Sequence, residues 1–347
     1  MARNPRRFNR IRALLDSHDA AIRDAFLAAV QDVRDGGDLS AIAERLEIGD
    51  IDGALRAVNL DPASFRRVEV AVAAAFTAGG EATTGSFPRL RGPDGSRLVV
   101  RFDARNLRAE QWVREHSSTL VTRIVGDQRT AIRAALQDGL EAGRNPRNTA
   151  LDIVGRVNRA TGRREGGIVG LSAPQERYVA NARAELLSGD PERLRAYLSR
   201  ERRDRRFDRV VARAIADERP VSARDVSRIT GRYSDRLLDL RGEVIARTET
   251  IQSLNAGADE AIRQMVDTGA VRREQVMKIW ISATDARTRD THLAMNGQAV
   301  PMDQPFESPS GARLMYPGDS SLGAGPDEII QCRCTLATRI DFLDGLD

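Results

Sequence analysis

The residues best suited to do chemistry lie near the end of the chain, where Cys332 and Cys334 follow His292 by some forty positions. Zinc accepts two thiolates and an imidazole, and Asp285 could complete a tetrahedron. A single Cys-x-Cys pair, however, lacks the second paired spacing that makes a zinc motif specific. In the alternative interpretation the thiols pack as small apolar groups, His292 hydrogen-bonds within the fold, and Asp285 caps its helix and pairs with Arg289. This alternative is favoured, so no metal or other cofactor is expected.

A second set of chemically capable residues is the run Arg247, Thr248 and Glu249. ADP-ribosylating enzymes use arginine and glutamate, and His292 would have to share the same cleft. Successive residues of a helix point about 100° apart, so Arg247 and Glu249 diverge from each other. The sequence also has no phosphate-cradling glycine loop, no nucleophile elbow and no His-Glu-x-x-His helix. The sequence therefore predicts a protein that is not an enzyme, with an ADP-ribosyltransferase-like activity as the alternative.

A third candidate site is the segment 200–213, in which seven arginines accompany three acidic residues. Its net charge of +4 equals that of the whole chain, so a basic coat over the entire surface is not indicated. If the segment is one helix, a positive stripe forms from Arg202, Arg206, Arg209 and Arg213. Such a stripe suits DNA phosphates or an acidic partner. The alternative is a solvated face with ion pairs such as Glu201 with Arg205.

Composition excludes several other classes of protein. The chain has 347 residues, of which 41% are hydrophobic and 30% charged, which is too much apolar material for a disordered chain and more length than one average domain. No apolar stretch approaches the roughly 20 residues of a membrane span, and the basic N-terminus meets Asp16 before a signal-peptide core can form. Two cysteines cannot make a disulfide framework. No membrane contact and reduced thiols are therefore expected.

The secondary-structure elements that must position these residues are predicted to be mostly helices. Apolar residues at helical spacing predict helices over 9–34 and 106–141, and the longest such signal runs from Ser234, as the N-cap, to a stop at Gly269. A β-hairpin is predicted over 89–102 and an exposed joint over 162–172. The long helix carries polar Thr248 and Asn255 in its apolar seam, so it must pack on other helices or other subunits.

After the long helix the pattern changes to short strands. A buried strand is predicted over 276–281, then a short helix that opens at Thr284-Asp285, a strand near 314–316, one helical turn at 327–330 and a final strand over 332–338. The predicted fold is mainly α with a small C-terminal α+β domain, in which the long helix leads into a short mixed sheet. Three regions follow: an N-terminal helical region with the hairpin (1–105), a helical middle region with the arginine-rich segment (106–220) and the C-terminal α+β domain (221–347).

Four runs in roughly the last 125 residues resemble the head-morphogenesis family of tailed phages, minor head proteins similar to phage Mu protein F. The runs are IARTETIQSLNAGADEAI (245–262), WISATDARTRDTHLAMNGQAV (280–300), FESPSGARLMYPGDSSLGA (306–324) and EIIQCRCTL (328–336). Carried over by position, the family signature comprises Arg247, Thr248, Glu249, Asp285, Arg287, Arg289, His292, Gly297, Gly311, Tyr316, Pro317, Gly318, Asp319, Cys332, Arg333 and Cys334. Gln331 departs from the asparagine expected there.

The resemblance implies a structural minor head protein of a tailed bacteriophage that is bound near the portal vertex. Its implied role is to assemble the capsid and to stabilise the DNA-filled head, without enzymatic activity. The implied partners are the portal protein and other capsid proteins, with packaged DNA as a further candidate, and several copies could enter one assembly. Such a protein is made in the host cytoplasm and resides in the virion. The alternatives are a DNA-contacting head protein, a zinc-binding head protein or an ADP-ribosyltransferase-like enzyme.

Overall fold

The computed structural model of the protein describes residues 5–87, 90–91, 97–98 and 100–341. The chain forms two compact units, each assembled from separate segments. The first unit comprises residues 1–24, 68–118 and 243–347, and the second comprises residues 25–67 and 119–242. Each unit takes residues from all three regions predicted above, which are continuous stretches of chain.

Helices dominate the described residues. They are α1 (Pro5–Gly36), α2 (Leu39–Glu47), α3 (Ile51–Ala57), α4 (Arg66–Thr84), α5 (Leu107–Glu141), α6 (Pro146–Val154), α7 (Ala173–Leu187), α8 (Pro191–Leu198), α9 (Asp208–Ala216), α10 (Ala223–Asp267), α11 (Asp290–Ala294) and α12 (Pro326–Ile329). The strands are β1 (Leu90–Arg91), β2 (Arg97–Leu98), β3 (Arg156–Val157), β4 (Arg164–Glu165), β5 (Val276–Ile281), β6 (Ala299–Pro301), β7 (Phe306–Glu307), β8 (Arg313–Leu314) and β9 (Thr335–Ile340). The predicted fold class, mainly α with a small C-terminal α+β part, is confirmed.

The long helix α10 starts earlier than predicted. Ser234 is not its N-cap but a buried residue inside it, whose hydroxyl donates to the carbonyl of Gly167. At the true start the backbone N–H of Asp225 donates to Ser222 Oγ at 3.2 Å, as a capping serine requires. A serine in a helical pattern is ambiguous, because a cap and an interior hydrogen bond use the same residue type. The predicted stop is confirmed, since α10 ends at Asp267 and Gly269 has a φ of 72°.

The predicted exposed joint over 162–172 is wrong in its second half. Residues 166–171 are buried within the second unit, although residues 161–163 are exposed. Gly166 packs on Gly231, and a Cβ added to Gly166 would lie 2.8 Å from the Cα of Gly231. The Arg34 guanidinium donates to the carbonyl of Val169 at 3.2 and 3.3 Å. Several glycines looked like a flexible linker, whereas here they permit close backbone approach and positive φ angles.

The predicted arginine stripe does not form, because 200–213 is not one helix. A turn leads into a 3₁₀ helix (Arg205–Phe207), and only then does α9 begin. The buried carboxylate of Asp204 caps the 3₁₀ helix by accepting from the backbone N–H of Arg206, and it also accepts from the guanidinium of Arg206 at 2.5 Å. Arg202 therefore lies outside the helix that carries Arg209 and Arg213. The ion pairs of this segment include Arg206 with Asp204 and Arg203 with Asp208, whereas the predicted pair of Glu201 with Arg205 is not among those of the described residues.

The first unit contains a three-stranded sheet in the order β6-β5-β9, and both neighbouring pairs are antiparallel where a mixed sheet was predicted. The predicted strand 276–281 is confirmed, and its inward residues are Val276, Lys278 and Trp280. The final strand begins at Thr335, so the two cysteines lie just before it and not in it. The predicted N-terminal hairpin is confirmed by the pairing of β1 with β2, while its turn lies outside the described residues.

Two helices of the first unit, α4 and α10, cross with their backbones in contact. A Cβ added to Gly79 would lie 2.1 Å from the carbonyl oxygen of Leu254, and one added to Gly257 would lie 1.9 Å from that of Phe76. Only residues without a side chain permit this approach. The crossing fixes residues 245–262 of α10, one of the four runs that resemble the head-morphogenesis family, against the rest of the first unit.

Candidate functional site

The thiol and imidazole groups singled out in the sequence meet in the first unit. The short helix α11 carries His292, while Cys332 and Cys334 lie in the segment between α12 and β9. The Nδ1 atom of His292 lies 3.6 Å from Cys332 Sγ and 3.4 Å from Cys334 Sγ. All three side chains are buried, and both cysteines are free thiols. Packing has therefore joined residues that are forty positions apart in the chain.

The other side of the imidazole faces a carboxylate. His292 Nε2 lies 2.7 Å from Glu328 Oε2, and Glu328 is itself buried. The hydroxyls of Ser308 and Ser310 donate to Glu328 Oε1 at 3.0 and 2.6 Å. An ionised carboxylate can only accept hydrogen bonds, so the imidazole carries its proton on Nε2 and leaves the Nδ1 lone pair for the thiols. None of the three supporting residues had been predicted as part of a site.

Charge in this cluster is shared between the thiols and the ring. The hydrogen bond from the Cys332 thiol lowers the pKa of Cys334, and the same bond, together with burial, raises the pKa of Cys332. Burial acts to lower the pKa of His292, but hydrogen bonds and charge attraction from Cys334 and Glu328 raise it overall. The cluster thus favours one thiolate beside the imidazole.

An apolar shell surrounds the cluster. The Trp280 ring meets His292 edge-on, with ring centroids 5.1 Å apart, and it also meets Phe306 edge-on at 5.4 Å. Both cysteines belong to the same buried cluster as these aromatic side chains. The hydroxyl of Ser282 donates to the backbone carbonyl of His292. The two sulfur atoms and the ring nitrogen are therefore enclosed by buried side chains, which hold them in place.

Asp285 plays none of its predicted roles as a metal ligand, a helix cap or a partner of Arg289. Its half-exposed carboxylate forms a two-bonded ion pair with Arg333, one bond of which measures 2.5 Å, and that pairing lowers the pKa of Asp285 to about 2. Arg289 instead donates to the carbonyl of Ile330. The predicted helix from Thr284-Asp285 is also wrong, because Asp285 shapes a turn by accepting from the backbone N–H of Arg287 and α11 begins only at Asp290. A bidentate arginine at a distant position was a stronger partner than the neighbour one turn away.

The Arg247, Thr248 and Glu249 run diverges as predicted. The guanidinium of Arg247 pairs with the carboxylate of Asp19. Thr248 Oγ1 donates to a carbonyl of its own helix and accepts from the backbone N–H of Gln331 at 3.1 Å. Each side chain thus ties α10 to a different part of the first unit.

Glu249, the third residue of the run, is bound to a histidine that sequence reasoning did not place in the site. His116 Nε2 lies 2.6 Å from the buried Glu249 Oε2. The imidazole of His116 stacks on Trp112 at 4.5 Å, and Trp112 stacks in turn on Phe76 at 4.8 Å. Glu249 and His292 therefore have separate partners and do not share the cleft that an ADP-ribosyltransferase-like site would need.

A polar residue of α10 joins two of the motif segments. The amide nitrogen of Asn255 donates to the carbonyls of Pro317 and Cys334 at 3.0 and 3.2 Å, and its amide oxygen accepts from the backbone N–H of Leu336 at 2.8 Å. Asn255 is buried, so these bonds replace the water it gives up. The sequence showed it only as a polar residue within an apolar seam.

Comparison with known proteins identifies the family to which this arrangement belongs. The family model described as phage Mu protein F like protein matches residues 130–337, which is more than half of the chain. The chain belongs to the phage Mu protein F-like family. The resemblance stated from the four runs is therefore confirmed, and the match starts in α5, about 90 residues before the predicted C-terminal region. No curated protein and no solved structure matches the chain.

Membership in the Mu F-like family makes the chain a phage head-related protein. It is accordingly a virion component whose partners are other phage capsid proteins. Across the described residues, none of the helices has an apolar stretch long enough for a membrane span.

The remaining Mu F-like signature residues shape the backbone or bind it. Gly297, Gly311 and Gly318 all have positive φ angles, between 85° and 88°. The carboxylate of Asp319 accepts from the backbone N–H of Met315 at 2.8 Å and so closes the loop that contains Tyr316 to Gly318. The Tyr316 hydroxyl, in turn, accepts from the Trp112 indole at 3.1 Å. These residues hold loops of the first unit in place.

Proposed function

We propose that this Mu F-like chain is a structural minor head protein, bound near the portal vertex of a tailed bacteriophage, which acts in head assembly and stabilises the DNA-filled head. The portal protein and the other capsid proteins are its partners, and it is assembled in the host cytoplasm. The observation that supports this proposal is that the charged residues of the family signature form ion pairs with other residues of the first unit. Asp285 with Arg333, Arg247 with Asp19 and Glu249 with His116 are such pairs.

The same observation supports the proposal that the protein is not an enzyme. A transferase needs its arginine, glutamate and histidine to converge on one substrate. Here Arg247, Glu249 and His292 each have a different acidic or basic partner, and His292 is buried among aromatic side chains. DNA contact is not part of the proposal, since the predicted stripe of arginines is broken at Asp204.

The proposal can be tested on purified particles. Quantitative mass spectrometry of procapsids and filled heads should detect this chain at far fewer copies than the major capsid protein. Cross-linking should then join it to the portal protein. The only lysine, Lys278, is buried, so the cross-linker has to couple carboxylates and not amines. Absence of the chain from both particle types, or cross-links only to tail proteins, would contradict the proposal.

A loss-of-function experiment tests the role of the signature residues. A phage that lacks this gene is complemented with the wild-type chain or with Asp285→Asn, which breaks the ion pair with Arg333. The matched control is Asp327→Asn, since Asp327 is an exposed aspartate of α12. We expect fewer filled heads with Asp285→Asn and normal yield with Asp327→Asn. Equal yields from the two variants would show that the signature pair is not needed for assembly.

A further inference from the structure

We propose that His292, Cys332 and Cys334 bind one zinc ion that locks the C-terminal part of the first unit. This inference goes beyond the head-assembly function and does not depend on it. It also departs from the expectation of no metal, which was drawn from the spacing of the cysteines. The decisive observation is that the fold brings the two sulfur atoms and the imidazole nitrogen together, although the spacing of these residues in the sequence is not that of a zinc motif.

The distances fit a tetrahedral ion. Zinc lies about 2.3 Å from a thiolate sulfur and about 2.0 Å from an imidazole nitrogen, so tetrahedral angles require a sulfur-to-nitrogen separation of about 3.5 Å. The two observed separations from His292 Nδ1 are 3.6 and 3.4 Å. The three candidate ligand atoms all lie within 4.8 Å of one another. No side chain has to move far for one ion to contact all three.

The groups around the cluster are those that support a metal ligand. Zinc-bound histidines donate their second ring N–H to a carboxylate, which fixes the tautomer and makes the ring more basic. Glu328 occupies this place at 2.7 Å from His292 Nε2 and is held by two serine hydroxyls. The backbone N–H of Cys334 donates a hydrogen bond to Cys332 Sγ at 3.4 Å, so this sulfur is held in place by the backbone as well. Apolar packing alone would not require a carboxylate, a histidine and two sulfur atoms to contact one another in this order.

The main competing use of these groups is a thiolate nucleophile activated by the histidine. A nucleophile has to reach a substrate, but both sulfur atoms belong to residues that are about 1% exposed. A zinc ion that enters while the chain folds needs no such access. Among the described residues no fourth histidine, cysteine, aspartate or glutamate joins the three, so a small non-protein ligand such as water takes the fourth position.

The ion would join segments that are distant in the chain. His292 comes from α11, while Cys332 and Cys334 lead into β9, the strand that pairs with all six residues of β5. The Asn255 amide holds the same segment by bonding to the Cys334 carbonyl. A metal link at this place joins the two ends of the segment that contains β6, β7 and β8.

The first test is the metal content of the full-length chain. The protein is purified without added metal and with its affinity tag removed, since a histidine tag binds zinc. Elemental analysis should give about one zinc per chain for the wild type and for His18→Asn, a control histidine outside the cluster. Cys334→Ser and His292→Asn should contain far less. Wild-type protein without zinc, or zinc that persists in both site variants, would overturn the proposal.

The second test uses wild-type protein, so it does not depend on whether the variants fold. The chain is stripped with a chelator and refolded with Co²⁺, which takes the same ligands and absorbs light. A near-ultraviolet thiolate-to-cobalt band and intense tetrahedral visible bands are expected, and added Zn²⁺ should abolish both. Bands typical of six oxygen and nitrogen ligands, without a thiolate band, would refute the assignment.

Glu328 is the positioning residue of the proposed site, and it can be tested separately. Glu328→Gln keeps the size of the side chain but weakens acceptance of the His292 proton. We expect zinc affinity, measured by competition with a chromophoric chelator, to fall roughly 10- to 100-fold. Glu307→Gln, at an exposed glutamate of β7, is the control and should leave the affinity unchanged. An equal affinity in the two variants would remove Glu328 from the site.

Discussion

Replacing Gly257 by alanine should destabilise the first unit, although alanine is the better helix former. Gly257 lies in α10 where this helix crosses α4, and a Cβ there would stand 1.9 Å from the carbonyl oxygen of Phe76. Ordinary contact begins at 3.4 Å, so the two backbones would have to separate by about 1.5 Å. Neither the added Cβ nor the Phe76 carbonyl oxygen can rotate away, because both are fixed to helix backbone and neither is the end of a flexible side chain.

The magnitude follows from two opposing effects. Alanine gains about 1 kcal/mol over glycine in a helix interior. Overpacking of a buried site costs about 1–3 kcal/mol, and a gap of only 0.5–1 Å already forfeits roughly a quarter to a half of the dispersion attraction between facing atoms. A separation of 1.5 Å between helix backbones lies at or above the upper end of that range. We therefore expect a net loss of about 2 kcal/mol or more, which lowers Tm by about 4–8 °C.

Tryptophan fluorescence is the suitable assay, since Trp112 and Trp280 are both in the first unit and are the only tryptophans. The control is Gly126→Ala in α5, where an added Cβ meets no atom within 4 Å. Circular dichroism should show that this change is neutral or stabilises by up to about 1 kcal/mol. Gly79→Ala forces the same separation as Gly257→Ala, so the double variant should lose less than the sum of the two single losses.

A wild-type or higher unfolding midpoint in Gly257→Ala would refute the reasoning. So would strictly additive losses in the double variant with Gly79→Ala, because two independent effects would then be at work and not one helix separation.

Three further predictions concern buried polar groups. Glu176 lines a cavity of about 380 Å³ in the second unit, and burial raises its pKa to about 7. The protonated form of Glu176 therefore stabilises the folded state fully below about pH 4.5, and this stabilisation is lost as the pH rises through 7. Glu176→Gln should remove that fall in Tm between pH 5 and pH 8, and an unchanged pH profile would contradict this account. Arg34→Met should cost about 3–5 kcal/mol in urea unfolding, because it leaves Asp235 without its buried partner, whereas Arg67→Met at an exposed pair should cost about 1 kcal/mol or less. Asn255→Ala removes three buried hydrogen bonds and should cost about 3 kcal/mol by tryptophan fluorescence; a change within about 0.5 kcal/mol would mean that water replaces the amide.

The extents of elements could be predicted wherever a periodic pattern was strong. Helix α5 and strand β5 were found within a residue of their ends, because alternation or helical spacing is a local property of the chain. The glycine after α10 was identified as its stop for the same reason. The motif residues also identified the family, since their order and spacing are written in the sequence itself.

Local patterns failed where one residue type serves two purposes. Ser234 looked like a cap but bonds inside a helix, and the glycines of 166–171 looked like a linker but allow dense packing. Asp204 looked like one more charge on a helical face. It is instead the N-cap of the 3₁₀ helix, and it interrupts the single helix on which the arginine stripe depended. For Ser234 and the glycines a distant contact selected between two locally acceptable conformations, whereas for Asp204 a local cap bond did so.

The candidate site shows the same division. The sequence named His292, Cys332 and Cys334, because thiols and imidazoles are few and their chemistry is distinctive. It could not show that Glu328 lies behind the ring or that Arg333 takes Asp285 away from the cluster. Which polar groups come within 3 Å of each other depends on how helices and strands pack, and this is set by burial of apolar surface over the whole unit and not by neighbours in the chain.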